Sequence, residues 1–231
     1  MHIYGFQKST LLDYPEHLAC TIFTGSCNFR CPFCHNQQLV LYPQHLQSIS
    51  ETEIFTYLKK RRNLLEGVCI TGGEPTLQEE LIPFIQKIKS LSYQVKLDTN
   101  GYRPDVLGHL LELNLLDYVA MDIKNSPQTY AKTCGLSTFT LESIEKSVEL
   151  LKNCKLPHEF RTTIVKEYHT KEDMIAISKW LPKSSPYFLQ SYVDSPEVLT
   201  PNLHPHSNET LYEFLHLVQE NLPLAKLRGV E

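Results

Sequence analysis

No stretch of this chain approaches the roughly 18 apolar residues that a bilayer-spanning helix needs, so no membrane span is expected. The first residues, Met1-His-Ile-Tyr-Gly-Phe-Gln-Lys8, lack the apolar core and small-residue cleavage site of a secretory leader. Positive charge is not in excess: 22 Lys and Arg stand against 26 Asp and Glu, a net charge of −4. That balance argues against nucleic acid or a membrane surface as a partner. The one basic run, Lys59-Lys60-Arg61-Arg62, ends a helix-like stretch, where cations favour the negative dipole end. An even, dispersed cysteine set is also missing. There are seven cysteines, and three crowd into positions 27 to 34, which does not suit a secreted disulfide framework. A reducing, cytoplasmic location is expected. No Ser-His-Asp or paired-carboxylate pattern stands out, and no low-complexity linker divides the chain.

What is present alternates. Apolar, β-branched segments at 18–24, 67–71, 94–98, 118–123, 159–165 and 187–190 read as strands. Helix-like patterns lie between them near 50–64, 77–91, 104–114, 140–153, 171–180 and 208–220. The first helix opens on Ser50-Glu-Thr-Glu53, a capping-box pattern. Alternating strands and helices predict an α/β fold with a parallel sheet. Six repeats suit an open, partial (β/α)6 barrel in a single domain over 1–231, with an N-terminal extension to about residue 16. Residues 193–208, with three prolines and two histidines, read as a loop before the last helix.

The most specific signal is Cys27-Asn-Phe-Arg-Cys31-Pro-Phe-Cys34-His35, within a loop over 25–36 after the first strand. Its C-x3-C-x2-C spacing supplies three thiolates from one short segment. A [4Fe–4S] cluster takes one cysteine per iron, so three would leave one iron open to another ligand. Competing readings exist. Cys31-Pro-Phe-Cys34-His35 fits c-type haem attachment, which leaves Cys27 unexplained. A structural zinc site would need His35 as fourth ligand, but Cys34 and His35 are adjacent, a poor geometry for one tetrahedral ion. Further polar clusters close later strands: Gly72-Gly73-Glu74-Pro75, Asp98-Thr99-Asn100-Gly101 and Met121-Asp122-Ile123-Lys124. Ligands bind at the carboxyl ends of parallel strands, so these clusters are expected on one rim. Taken singly, a double glycine or an Asn-Gly pair marks a turn, and Asp122 with Lys124 a surface ion pair.

Together with Gly5-Phe-Gln-Lys-Ser-Thr-Leu-Leu-Asp-Tyr-Pro15, these motifs occur in an order that resembles the radical S-adenosylmethionine (SAM) enzymes. Among them the chain is most similar to glycyl-radical-enzyme activating enzymes, including the activating proteins of anaerobic ribonucleoside-triphosphate reductase, over residues 3 to about 125. The resemblance implies a [4Fe–4S] cluster on Cys27, Cys31 and Cys34, with SAM on the open iron. It implies that Gly72, Gly73 and Glu74 border the SAM amino group, and that Lys124 lies near its carboxylate. Asp98, Thr99, Asn100 and Asp122 would border SAM, with a monovalent cation beside Asp98 and Asp122, and Arg161 would point to the same rim. The implied partners are a glycyl-radical enzyme as protein substrate and a flavodoxin or ferredoxin-type reductant. Two departures stand out: residues 35–68 hold no cysteine for additional clusters, and Gln190-Ser-Tyr192 falls where relatives place a histidine near adenine. The alternatives are a radical SAM enzyme acting on a small molecule, such as a carboxy-deazaguanine synthase, and a non-catalytic iron–sulfur electron carrier.

Overall fold

The computed structural model describes residues 1–230. One sheet holds eight strands in strict chain order: β1 (Ile3–Thr10), β2 (Ala19–Thr24), β3 (Gly67–Gly72), β4 (Gln94–Thr99), β5 (Tyr118–Asp122), β6 (His158–Ile164), β7 (Tyr187–Ser191) and β8 (Ala225–Arg228). β1 runs antiparallel to β2, and every later pair is parallel. The six expected strands are β2 to β7, each within one residue at either end.

The two outer strands were not legible as strands. β1 occupies the expected N-terminal extension, and its Gln7-Lys8-Ser9 stretch is exposed, which breaks the alternation of a half-buried strand. β8 is four residues long, too short for a pattern.

The crossovers are α2 (Glu51–Arg61), α3 (Leu81–Ser90), α4 (Pro104–Glu112), α6 (Glu142–Asn153), α7 (Lys171–Trp180) and α8 (Asn208–Gln219), with short α1 (Gln37–Leu41) and α5 (Tyr130–Cys134) on connecting loops. The Ser50 hydroxyl accepts from the Glu53 amide at 3.2 Å, which fixes the start of α2. α3 begins later than the expected residue 77, because Pro75–Leu77 turns as a 3₁₀ segment first.

Parallel strands under helices are covered on both faces, and the alternation sorts the residues. Val68 and Ile70, Val95 and Leu97, and Val119 and Met121 are fully buried in one apolar core. Burying such a side chain contributes about 1.5–3 kcal/mol relative to leaving it exposed. The intervening residues, among them Cys69, Thr71, Lys96, Asp98 and Asp122, face the other way. Residues from β3 through β7 line one cavity. A flat sheet with strands about 4.8 Å apart would hold its outer members too far from each other. The wall is therefore curved into a partial barrel.

Candidate functional site

The cavity holds about 520 Å³ and lies at the carboxyl ends of the strands. All twelve residues singled out from the sequence line it: Cys27, Cys31, Cys34, Gly72, Gly73, Glu74, Asp98, Thr99, Asn100, Asp122, Lys124 and Arg161. Asp13, Thr163 and Gln190 complete the wall toward the barrel interior.

The cysteine loop leaves β2 and is held by backbone contacts. The Cys34 amide donates to Cys31 O at 3.0 Å, and the Arg30 amide donates to Cys134 O at 2.8 Å. The Phe29 amide donates to Cys27 Sγ at 3.3 Å. Burial pushes the Cys27 thiol up to about 12, and Cys34 also upward. Cys31 differs. A hydrogen bond from Cys134 lowers its pKa, while burial raises that of Cys134. Three cysteines and a backbone donor facing one cavity suit a soft metal–sulfur group. Beside Cys27, the buried Asn28 Nδ2 has no hydrogen-bond partner.

The glycine turn is shaped by its neighbours. A Cβ on Gly73 would lie 1.9 Å from Ser26 O, and Gly72 has φ +117°, which L side chains rarely adopt. The turn lies against the cysteine loop itself: the Gly73 amide donates to Thr24 O and the Glu74 amide to Ser26 O, both at 2.8 Å. Glu74 is buried, and its carboxylate is taken up within the protein. Oε1 accepts from the Thr76 amide (3.1 Å), the Thr76 hydroxyl (2.6 Å) and the Thr99 hydroxyl (2.7 Å). Oε2 accepts from the Asn100 amide at 2.7 Å. Burial raises the Glu74 pKa against these bonds. Glu74 and Thr99 thus tie the β3 and β4 loops together.

Charges alternate along the interior face. Lys96 Nζ meets Asp98 Oδ1, and Arg161 Nη1 lies 3.3 Å from Asp98 Oδ2. Arg161 Nε is 2.9 Å from Asp122 Oδ1, and Lys124 Nζ is 2.9 Å from Asp122 Oδ2. Burial alone would raise the Asp122 pKa, but Arg161 and Lys124 override it and hold the carboxyl below its usual range. Burial likewise opposes the charge on Lys124, and Asp122 with the nearby thiols more than restores it. Three cations and two carboxylates share this face, and the Lys124 ammonium stands next to three thiols, placed to meet an anionic ligand group. Lys124 Nζ carries three N–H donors, so its bond to Asp122 leaves capacity for such a group.

The loop after β7 straps the cysteine loop down. The Leu199 amide donates to Cys34 O (3.1 Å) and the Thr200 amide to Pro32 O (2.8 Å), while His35 Nε2 lies 2.6 Å from Val193 O. Below it, buried His169 accepts the Val165 amide on Nδ1 at 3.0 Å and bonds Lys124 O through Nε2 at 2.9 Å. Its ring packs edge-on against Phe33 of the cysteine loop. Burial pulls the His169 pKa from 6.5 to about 4. The unfolded chain therefore takes up the proton first, so stability is full above about 6.5 and falls as pH drops toward about 4. Urea unfolding at pH 7 and pH 5 should differ by about 2 kcal/mol from this group. A His169→Gln variant, which cannot titrate, should show that much less pH dependence; an unchanged slope would place the titration elsewhere.

Several of these residues escaped the sequence reading. Lys96 shares a strand face with Asp98, the same alternation that exposed Asp122 and Lys124, so a signal existed. Cys134 and His169 reach the site only through tertiary packing, whereas Asn36, at the end of the cysteine loop, donates to Gly72 O at 2.7 Å.

A profile of the Radical SAM superfamily matches residues 21–181. A Methanocaldococcus jannaschii protein, provisionally named a glycyl-radical enzyme activating enzyme, is 31% identical over 192 residues, covering 81% of this chain and 78% of its own. A Saccharolobus solfataricus protein provisionally named a GTP 3′,8-cyclase is 31% identical over 140 residues, 58% of this chain and 44% of its own. Among solved structures, Streptococcus suis SuiB bound to its precursor peptide SuiA superposes with a TM-score of 0.70 at 11% identity. That likeness covers 91% of this chain and 48% of SuiB, so the chain spans about half the length of that protein and shares its fold.

Proposed function

The chain belongs to the radical SAM superfamily, and we propose that it is an activating enzyme that uses a [4Fe–4S] cluster and SAM to install a glycyl radical on a separate protein. The observation that carries this is the convergence of Cys27, Cys31 and Cys34 with Gly72, Gly73, Asp122 and Lys124 on one cavity. When bound, the cluster and SAM together supply a reductive cleavage that yields methionine and a 5′-deoxyadenosyl radical able to take a hydrogen atom from a substrate.

The chain's own groups bind and orient. The three cysteines would hold the cluster. Lys124 would face the SAM carboxylate, with Asp122 and Arg161 fixing the ammonium in place. Glu74, Thr99 and Asn100 would act one step back, holding the loops that border SAM. A monovalent cation beside Asp98 and Asp122 would compete with Lys96, Arg161 and Lys124, which already meet those carboxylates.

A protein substrate is supported by the Methanocaldococcus relative, of which this chain covers 78%. The reductant in this reading is a flavodoxin or ferredoxin, and the location the cytoplasm. No helix among the described residues is long and apolar enough to cross a membrane.

Incubating the reduced protein with SAM and candidate glycyl-radical enzymes should give 5′-deoxyadenosine together with a stable EPR doublet on the partner, split by the α-hydrogen. The cyclase likeness, over 58% of this chain, favours a small-molecule substrate as second reading. Coupled turnover with a metabolite, and none with any glycyl-radical protein of the organism, would decide for it.

A further inference from the structure

Electron transfer between two proteins weakens steeply with distance, so a donor has to seat where the cysteine loop meets solvent. Across residues 25–36 the exposed positions are Ser26, Arg30 and His35. The two that carry nitrogen face different surroundings. His35 bonds Val193 O on the loop after β7, where Asp194 and Glu197 are exposed. Arg30 faces α5: its amide donates to Cys134 O at 2.8 Å, and a Cβ on Gly135 would lie 3.2 Å from Arg30 Cβ. The Arg30 guanidinium folds back on its own loop, with Nη1 2.5 Å from Cys27 O and 2.7 Å from Phe29 O. Arginine carries five N–H donors in a rigid fork, so these bonds fix the charge and leave the rest of the fork to solvent.

The chain as a whole is acidic, with 26 Asp and Glu. Residues 25–50 and 123–141, which hold the cysteine loop and α5, contain none of them. Lys132 is exposed on α5, in the turn closed by the Gly135 amide donating to Lys132 O at 3.2 Å. On the adjoining loop after β4, Tyr102 packs edge-on against Phe29, and Arg103 pairs with Asp105 at 2.7 Å, so those two charges cancel. Arg30 and Lys132 are left as the cations of this face. The basic run at 59–62 is elsewhere. It ends α2, and a crossover helix leads back from the carboxyl end of one strand to the start of the next, so the run lies at the opposite end of the sheet.

The geometry points to the face around Arg30 and Lys132 as the docking site of an acidic one-electron carrier protein, which passes one electron to the cluster while no atom moves. This rests on the cluster assignment made under Proposed function. A cationic patch speeds the encounter with an acidic partner and orients it more than it adds affinity, which suits a carrier that must leave after each transfer. Redox encounters are made through small interfaces, below about 1,200 Å². Asp194 and Glu197, on the His35 side, repel the same partner and turn it toward α5.

The test follows reduction of the iron-loaded protein by the loss of cluster absorbance. One donor is the hydroquinone of an acidic flavodoxin, and the other is illuminated 5-deazariboflavin, which is small and uncharged. Lys132→Glu should slow the flavodoxin reaction about tenfold at low salt, relative to deazariboflavin, and the difference should vanish at about 0.5 M salt. Arg30→Gln should behave alike, and Arg30→Lys, which keeps the charge, should lose less. Lys59→Glu changes the net charge equally at the far end and should leave the flavodoxin rate near that of wild type. Equal rates in Lys132→Glu and wild type, or equal slowing by Lys59→Glu, overturns the docking site.

Should Arg30→Gln lose iron, Lys132→Glu decides. Isothermal titration of oxidised flavodoxin into the cluster-free protein gives a second reading, in which Lys132→Glu should weaken binding at low salt and unchanged binding counts against the site. A wild type reduced by deazariboflavin but not by flavodoxin also overturns the inference. A wild type that takes up no iron defeats the cluster reading itself, a different outcome from either.

Discussion

Alanine at Cys27, at Cys31 or at Cys34 is expected to abolish iron retention, while alanine at Cys20, Cys69, Cys134 or Cys154 leaves about four irons per chain after anaerobic reconstitution. The first three share a loop and a cavity. Cys20 and Cys69 are fully buried within β2 and β3, where burial holds both thiols well above their ordinary pKa and so protonated. The Cys154 thiol donates to Leu151 O at 3.1 Å, at the end of α6. Cys134 is the informative control. It lies close enough to Cys31 to lower that thiol's pKa, and a fourth thiolate would close the open iron and turn the site into an electron carrier. Iron and sulfide analysis of Cys134→Ala separates the two. Retained iron supports three ligands and an open position, and lost iron rejects that arrangement.

The second large effect falls on SAM. Lys124→Ala and Asp122→Ala should each weaken SAM affinity by roughly 10- to 150-fold, the equivalent of about 1.5–3 kcal/mol for a charged hydrogen bond, with iron content nearly unchanged. Lys124→Ala removes the ammonium itself. Asp122→Ala removes the carboxylate that Lys124 and Arg161 share, so Lys124 loses the contact that aims it and Arg161 keeps only Asp98. The same substitutions should lower the yield of 5′-deoxyadenosine under dithionite. Titrating SAM against the EPR signal of the reduced protein measures the affinity. Unchanged binding in both variants would mean that these charges serve the barrel alone.

The strands β2 to β7 were legible because parallel strands buried on both faces must be apolar and β-branched, and their ends must be polar. The motifs at those ends could be read for the same reason. β1 and β8 lie at the edges, where exposure erases that pattern. Within the site, the split was between residues that carry a local motif and residues brought in from a distance. Glu74 was found as part of Gly-Gly-Glu-Pro, but its use as a tie between two loops depends on Thr99 and Asn100, 25 and 26 residues away. Lys96 was overlooked although it alternates with Asp98, because a lysine in an apolar run reads as a solvent-facing position. Its burial is explained only by the Asp98 carboxylate and by Cys69 on the neighbouring strand. Cys134 had no signal at all.

The strap across the cysteine loop has a consequence in time. Each strand of the sheet pairs with the one made just before it, so the wall can grow in step with synthesis at about 5–20 residues per second. The cysteines leave the ribosome early, yet the amides of Leu199 and Thr200 that hold Cys34 O and Pro32 O come near the end of the chain. For most of translation the three thiols therefore sit on an unfinished loop. Iron delivered during that interval would meet flexible ligands that can bind it in any number of ways. The strap therefore reaches the cysteine loop only after residues 199 and 200 have been made, long after the three thiols.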